Sequence, residues 1–126
     1  MLPDWFMDGA AATFIVLIED KPVAFAMLGE PWKEGISPRT AELLAIGVEP
    51  KRQRFGLGGL LMAQIENEAQ ERGVRLLILH TAVENVAAQE LFKKSDFAVA
   101  EFKKFFYPNG QDAIMMYREI GKERKG

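Results

Sequence analysis

The segment Val48-Glu49-Pro50-Lys51-Arg52-Gln53-Arg54-Phe55-Gly56-Leu57-Gly58-Gly59 gathers residue types that suit anion binding. A β-branched run ends at Val48, Pro50 stops it, and an apolar helical period opens at Leu57 behind closely spaced glycines. At such a strand-to-helix turn several backbone N–H groups converge without partners, and the helix dipole favours negative charge. Glycines admit phosphate oxygens to the main chain, while Lys51, Arg52 and Arg54 add local positive charge. The plain alternative is a glycine-rich turn with a basic rim, and the glycines alone weigh both readings equally. Two nucleotide loops are excluded by spacing. A Walker loop needs Gly-Lys-Ser/Thr, which does not occur, and a dinucleotide fingerprint needs Gly where Leu61 stands and an acid where His80 stands.

Composition narrows the class further. The chain has 126 residues, enough for one self-supporting core, and a single domain over residues 1–126 is expected. With no Cys, a disulfide framework, a thiolate zinc site, an iron–sulfur cluster and a cysteine nucleophile are excluded, and no metal is expected. Sixteen Lys and Arg against 18 Asp and Glu give a net charge of -2, which argues against a dedicated nucleic-acid binder. No apolar run approaches the ~20 residues that span a bilayer, and Met1 to Gly9 lacks the basic and apolar regions of a signal peptide. A soluble cytoplasmic protein without membrane contact is expected, its mixed-charge end Arg118 to Lys125 solvated.

The elements that position the loop follow from periodicity. Thr13 to Glu19 and Val23 to Leu28 are β-prone runs about the turn chemistry of Asp20-Lys21-Pro22, which predicts a hairpin. Pro31 to Arg39 reads as a loop and Thr40 to Val48 as a third strand. Leu57, Leu61, Ile65 and Ala69, with Leu60 beside them, form a helical stripe that Gly73 closes in the left-handed conformation. Val74 to Leu79 is continuously apolar, as a strand covered on both faces is, which makes residues 40–79 a β-α-β unit. A second helix starts at Asn85 with Ala88, Leu91 and Phe92 on one face and ends near Ser95-Asp96. Phe97 to Tyr107 and Ala113 to Ile120 read as two long strands about Pro108-Asn109-Gly110. The expected fold is α/β in the α+β sense: a mixed sheet flanked by helices, order β-β-β-α-β-α-β-β, with one parallel pair.

Three blocks in this order carry a resemblance. Gln53-x-x-Gly56-x-Gly58, between a strand ending Val48-x-Pro50 and an amphipathic helix, resembles the acyl-CoA pyrophosphate loop of the GCN5-related N-acetyltransferase superfamily. Asn85-x-x-Ala88-x-x-Leu91-Phe92-x-x-x-x-Phe97 is similar to that superfamily's Asn-x-x-Ala-x-x-Leu-Tyr-x-x-x-Gly-Phe block. Phe106-Tyr107-Pro108-Asn109-Gly110-Gln111-Asp112-Ala113-Ile114-x-Met116 resembles the Tyr-Tyr-x-x-x-Gly-Glu-Asp-Ala-x-x-Met ending of its ribosomal-protein and N-terminal acetyltransferase branch. Together with the order of strands and helices they cover about residues 12–120.

The resemblance implies an acetyl-CoA-dependent N-acetyltransferase acting by direct transfer on a primary amine, either a peptide or protein N-terminus or a small-molecule amine. Main-chain groups of Ile46, Gly47 and Val48 would pair with the pantetheine arm like an added strand. Gln53, Arg54, Phe55, Gly56, Leu57, Gly58 and Gly59 would hold the pyrophosphate, and Asn85 and Phe92 would border the rest of acetyl-CoA. Asn85 is also a natural helix N-cap, and the two roles are compatible. The resemblance offers two bases, Glu42 and His80, and a water shared by both is a third arrangement. Glu42, Leu44, Ile46 and Val48 are expected to share one strand face. Against these stand ordinary structural roles: a solvated Glu42, a satisfied His80 at a strand end.

The chain departs from the pattern in two places. Many members have Tyr where Phe92 stands, and Phe has no proton to give, so Tyr107, a water or no dedicated acid serves that step. Members also carry a strand and helices ahead of the strand that starts here near Thr13. Trp5, Phe6 and Met7 resemble the last turn of such a helix, with a simple cap over the core as the equal alternative, and the apolar sheet surface left open implies a homodimer or a partner. A catalytically impaired acyl-CoA-binding or regulatory subunit is the competing functional reading, favoured by both departures.

Overall fold

Two nine-residue runs of β-branched and small apolar side chains open the described chain as β1 (Ala10–Ile18) and β2 (Lys21–Gly29). The computed structural model describes residues 10–32 and 38–121, leaving aside the side chain of Arg54. The residues read as a helix remnant, Trp5, Phe6 and Met7, lie outside the described residues, as does the tail beyond Gly121. The hairpin turn is Glu19-Asp20, at φ 51° and 65°. Two consecutive positive φ values define the primed turn whose twist matches the flanking strands, so Lys21 and Pro22 already belong to β2.

The chain continues through β3 (Thr40–Val48), a 3-10 turn at Pro50–Phe55, α1 (Leu57–Glu71), β4 (Leu76–Ala82), α2 (Val86–Lys94), β5 (Ala98–Lys103) and β6 (Ala113–Glu119). The sheet order is β1-β2-β3-β4-β6-β5, with β3 and β4 parallel and every other neighbouring pair antiparallel. This is the expected order of elements. Both helices end in the same motif. After α1, Gly73 at φ 76° lets Val74 N–H donate to Ala69 O and its own N–H donate to Gln70 O. After α2, Asp96 at φ 67° does the same with Phe97 N–H on Phe92 O and its own N–H on Lys93 O. Asp tolerates the left-handed region better than most residues, which is why the Gly of the similar block is dispensable there.

One apolar cluster holds the helices to the sheet. It joins Leu61, Met62, Ile65 and Ala69 of α1 and Phe92 of α2 to Ala26 and Leu28 of β2, Ala41 and Leu43 of β3, Leu77 and Leu79 of β4 and Met116 of β6. Alternate strand residues face one way, so both helices cover the same face. Leu60 is exposed and Met62 takes the place expected for it. The opposite face is not bare: Val23, Met27, Ile78 and Ala113 are buried outside that cluster.

The last hairpin differs from the sequence reading. β5 ends at Lys103, and residues 104–112 form a loop closed on itself, where Phe105 N–H donates to Asp112 Oδ1, Tyr107 N–H to Gln111 O and Gly110 N–H to Tyr107 O. Phe105 sits at φ 52°, a left-handed conformation that no strand holds, so the extended run expected to Tyr107 stops short.

Candidate active site

The parallel pair is short. β3 and β4 pair from Thr40 with Leu76 to Leu43 with Leu79, after which β3 pairs with β2 alone and β4 with β6 alone. The cause is a bulge: Met27 faces Ala45 and Leu28 faces Leu43, leaving Leu44 as the extra residue. A bulge bends its strand and increases its twist, and here it swings the end of β3 away from β4. It also reverses which way later side chains point. Ala41 and Leu43 face the helices before it, and Ile46 and Val48 pack against the same cluster after it. Glu42 therefore lies on the face opposite Ile46 and Val48, which corrects the expectation of one shared face.

The splayed strands leave an open V whose β3 wall is main chain. Glu49 N–H donates to Val23 O on β2, so across that trans peptide the Val48 carbonyl points away from β2, into the V. Gln53 Nε2 donates to it at 3.3 Å, so this predicted loop residue braces the strand end.

At one end of the V the chain turns into α1. Gly56, at φ 74° and ψ 13°, precedes the helix, no side chain among the described residues caps it, and its first turn holds no acid. Leu60 N–H reaches Gly56 O at 3.1 Å, which leaves the N–H groups of Leu57, Gly58 and Gly59 as the helix's orphan donors. The glycines have different reasons. A Cβ on Gly56 or Gly59 would meet nothing within 4 Å. On Gly58 it would press on Leu91 at 3.1 Å, and on Gly47 it would collide with Phe25 Cε1 at 2.6 Å. Gly58 and Gly47 are thus small for packing, and Gly56 and Gly59 keep an approach to the helix N-terminus clear. Glu49 draws Lys51 Nζ to 3.6 Å and Arg52 Nε to 3.4 Å, so part of the basic rim is paired within the turn. Phe55 is exposed at the lip; the Arg54 side chain lies outside the described residues.

Where the two strands part, three candidate side chains converge on the face opposite the two described helices. Glu42 sits beside Ile78 in the register and His80 is two residues further along the same face. His80 Nδ1 and Glu42 Oε2 are 3.0 Å apart, their side chains 11% and 29% exposed. A carboxylate only accepts, so in the neutral imidazole this contact selects the tautomer with the proton on Nδ1 and the lone pair on Nε2. Nε2 is buried and has no hydrogen-bond partner among the described residues. The ring of Phe106 lies on the imidazole at 4.4 Å and 9°, and the Tyr107 ring meets Phe106 edge-on at 5.1 Å. Burial, and then the charge of Glu42, hold the Tyr107 phenol above its ordinary pKa of 10.0, so it keeps its proton throughout the neutral range.

Other expected residues stand apart from this cluster. Asn85 caps α2, its Oδ1 accepting from Ala88 N–H at 3.1 Å. Phe92, 4% exposed, packs in the core against Phe97 at 6.1 Å, so its ring is a core side chain and not part of the V's surface. Phe106 was given no role by the sequence. The aromatic run Phe105-Phe106-Tyr107 was the available signal, and reading it as strand concealed its position over His80. Among the described residues no group of three or more His, Asp or Glu is placed to hold a metal, and no helix is long and apolar enough to cross a membrane.

Comparison with known proteins supplies the frame for this geometry. Residues 1–97 match the model of the acetyltransferase (GNAT) family. The ribosomal protein bS18-alanine N-acetyltransferase of Salmonella typhimurium is 35% identical over 101 residues, which are 78% of this chain and 64% of that protein. The Escherichia coli K12 protein of the same name is 37% identical over 79 residues, 60% of this chain and 53% of its own. The chain thus spans less than two thirds of these relatives. The crystal structure of the Escherichia coli ribosomal-protein-S18-alanine N-acetyltransferase superposes with a TM-score of 0.74 at 30% identity, covering 94% of this chain and 74% of that one. A GNAT acetyltransferase from Elizabethkingia anophelis, solved with acetyl-CoA bound, shares the fold at a TM-score of 0.79 and 22% identity, over 93% of this chain and 80% of its own. With its β-α-β unit, open V and glycine turn already in place, the match over residues 1–97 makes this chain a member of the GNAT acetyltransferase family.

Proposed function

We propose that this chain is an acetyl-CoA-dependent N-acetyltransferase whose acceptor is a primary amine, with a peptide or protein α-amine favoured over lysine. The observation that carries the reading is the V with a different chemistry at each end: orphan amides at Leu57, Gly58 and Gly59, and His80 Nε2 beside Glu42 with no hydrogen-bond partner among the described residues. The residues fit the co-substrate. Diphosphate suits amide donors at an uncapped, acid-free helix start, and an extended amide-bearing arm suits a strand edge that has lost its neighbour.

A bound thioester supplies the acyl carbon and a sulfur leaving group. The chain's own part is proton handling. His80 Nε2 accepts the proton that the attacking amine sheds as its nitrogen bonds to the acyl carbon, and Glu42 steadies the imidazolium that forms. Tyr107, kept protonated, gives its proton to the sulfur as the carbon–sulfur bond breaks, in place of the hydroxyl that Phe92 lacks. Of the two bases the sequence left open, the 3.0 Å contact favours one unit, with His80 accepting and Glu42 orienting.

The acceptor preference rests on protonation. An α-amine with a pKa of about 7.7–8.0 is partly neutral near pH 7.4, whereas Lys at about 10.4 costs roughly 4 kcal/mol to deprotonate. An imidazole base suits the first. Relatives named for the alanine of ribosomal protein bS18 agree with an N-terminal acceptor. Calorimetry with acetyl-CoA, followed by thiol release over peptides with free α-amines and over lysine side-chain amines, tests the reading. Binding with turnover on α-amines is expected. Binding without turnover on any amine would favour the regulatory subunit, which the core position of Phe92 supports. Pairing of two copies through the face opposite the two described helices, where Ile15 and Tyr117 are exposed, belongs to the same proposal, and light scattering at micromolar concentration checks it.

A further inference from the structure

His80 is the chain's sole histidine, and its ring is restrained from two directions. Glu42 Oε2 lies 3.0 Å from Nδ1, and Phe106 lies flat on one face with ring centroids 4.4 Å apart. The hydrogen bond alone leaves the imidazole some freedom to pivot about its Cβ–Cγ bond. A flat neighbour stops that pivot, because tilting the ring would drive it into the stacked face.

Phe106 is itself held. The loop carrying it is closed by Phe105 N–H on Asp112 Oδ1 at 2.9 Å and by Tyr107 N–H on Gln111 O at 3.1 Å. Tyr107 abuts its ring edge-on, and Lys103 Nζ stands 5.5 Å from its centroid. Yet Phe106 is 42% exposed, far more than core packing requires. Its burial gains little stability for the fold; what it contacts is the ring of His80.

We infer that Phe106 is a positioning residue: stacked on His80, it fixes the plane of the imidazole so that Nε2 meets the incoming amine at one angle. The inference rests on the acetyltransferase reading above. It assigns to the loop after β5 a part in setting the base, in addition to holding Tyr107. A positioned base is worth keeping, since misplacing a reacting group by about 1 Å can cost on the order of 100-fold in rate.

Three variants separate a flat ring from mere bulk. Phe106→Ala and Phe106→Leu are expected to lower kcat about tenfold with the KM for acetyl-CoA unchanged within twofold, whereas Phe106→Tyr keeps kcat within twofold. Leucine preserves volume without a flat face, so a Leu variant at full kcat would overturn the inference. Nuclear magnetic resonance supplies a readout independent of turnover. The two carbon-bound imidazole protons of the sole histidine should carry an upfield ring-current shift in the parent and in Phe106→Tyr, and lose it in Phe106→Ala and Phe106→Leu. Protons unmoved by Phe106→Ala would show that no stack exists and defeat the inference. If the parent chain acetylates no amine, the acetyltransferase reading falls, and the resonance arm alone decides whether Phe106 orients His80.

Discussion

The two ends of the V solve opposite problems. At the start of α1 the working groups are main-chain amides, and what matters about the side chains is that they are missing: Gly56 and Gly59 face open space and no described side chain caps the helix. Where β3 and β4 part, the working groups are side chains drawn from three separate strands or loops, Glu42, His80 and Phe106 with Tyr107. One end is fixed by secondary structure alone and tolerates any sequence that keeps it bare. The other depends on register, rotamers and a distant loop. Substitutions at the first should therefore act on affinity, and substitutions at the second on turnover.

The largest expected effect lies at the side-chain end. His80→Ala should lower kcat by 100-fold or more, as loss of a general base does, with acetyl-CoA affinity nearly unchanged by calorimetry. An unaltered kcat would remove His80 from the chemistry. Glu42 acts through it, so Glu42→Leu should cost less than His80→Ala. Glu42→Gln should cost least, since an amide oxygen still accepts from Nδ1–H; a Gln variant as impaired as the Leu one would make the carboxylate's charge the essential feature.

The bare end is tested by alanines at two adjacent positions, both distant in sequence from Glu42, His80 and Tyr107. Gly59→Ala adds a methyl where nothing lies within 4 Å, so the free protein should be unharmed or stabilised by up to about 1 kcal/mol, while acetyl-CoA binds several-fold more weakly. Gly58→Ala should do the reverse, lowering the melting temperature through its 3.1 Å approach to Leu91 and leaving affinity largely intact. Gly56→Val combines an occupied approach with a β-branched residue at φ 74°, and should lose both affinity and about 1–2 kcal/mol of stability. If Gly59→Ala binds acetyl-CoA like the parent, the amides there are not its cradle.

The same contrast governs what could be read in the sequence. The bare end was legible because Gly56-Leu57-Gly58-Gly59 is local: strand, turn and helix signals sit side by side, and backbone does the work. The side-chain end was half legible. Glu42 and His80 stood out as candidates, but their meeting depends on Glu42 falling beside Ile78 across a parallel pair, which no local pattern encodes. The bulge at Leu44 was invisible, because Glu42-Leu43-Leu44-Ala45 has neither Gly nor Pro and the irregularity belongs to the pairing with β2. Phe106 was missed for the converse reason. Its neighbours are strong strand formers, and only the closure of the loop by Asp112 and Gln111 turns the run out of the sheet.

The smallest expected effect is electrostatic and belongs wholly to the side-chain end. Tyr107 has its pKa raised above 10.0 by burial and by Glu42, so between 10.0 and the raised value the folded chain holds a proton that the unfolded chain has released. Stability supplied by that proton is complete below 10.0 and is lost as pH rises through the folded-state value, because in that interval the unfolded state binds fewer protons. Tyr107→Phe should therefore flatten the alkaline limb of a plot of unfolding free energy against pH and leave the neutral region alone. Glu42→Gln removes only the second cause, so it should flatten the limb by a smaller amount, and ultraviolet titration of its phenols should show one of them ionising at lower pH. The substitutions at Gly58 and Gly59 should not alter that limb at all. An equal change in the glycine variants would mean that the two ends of the V are coupled through the fold, and the division drawn between them would fail.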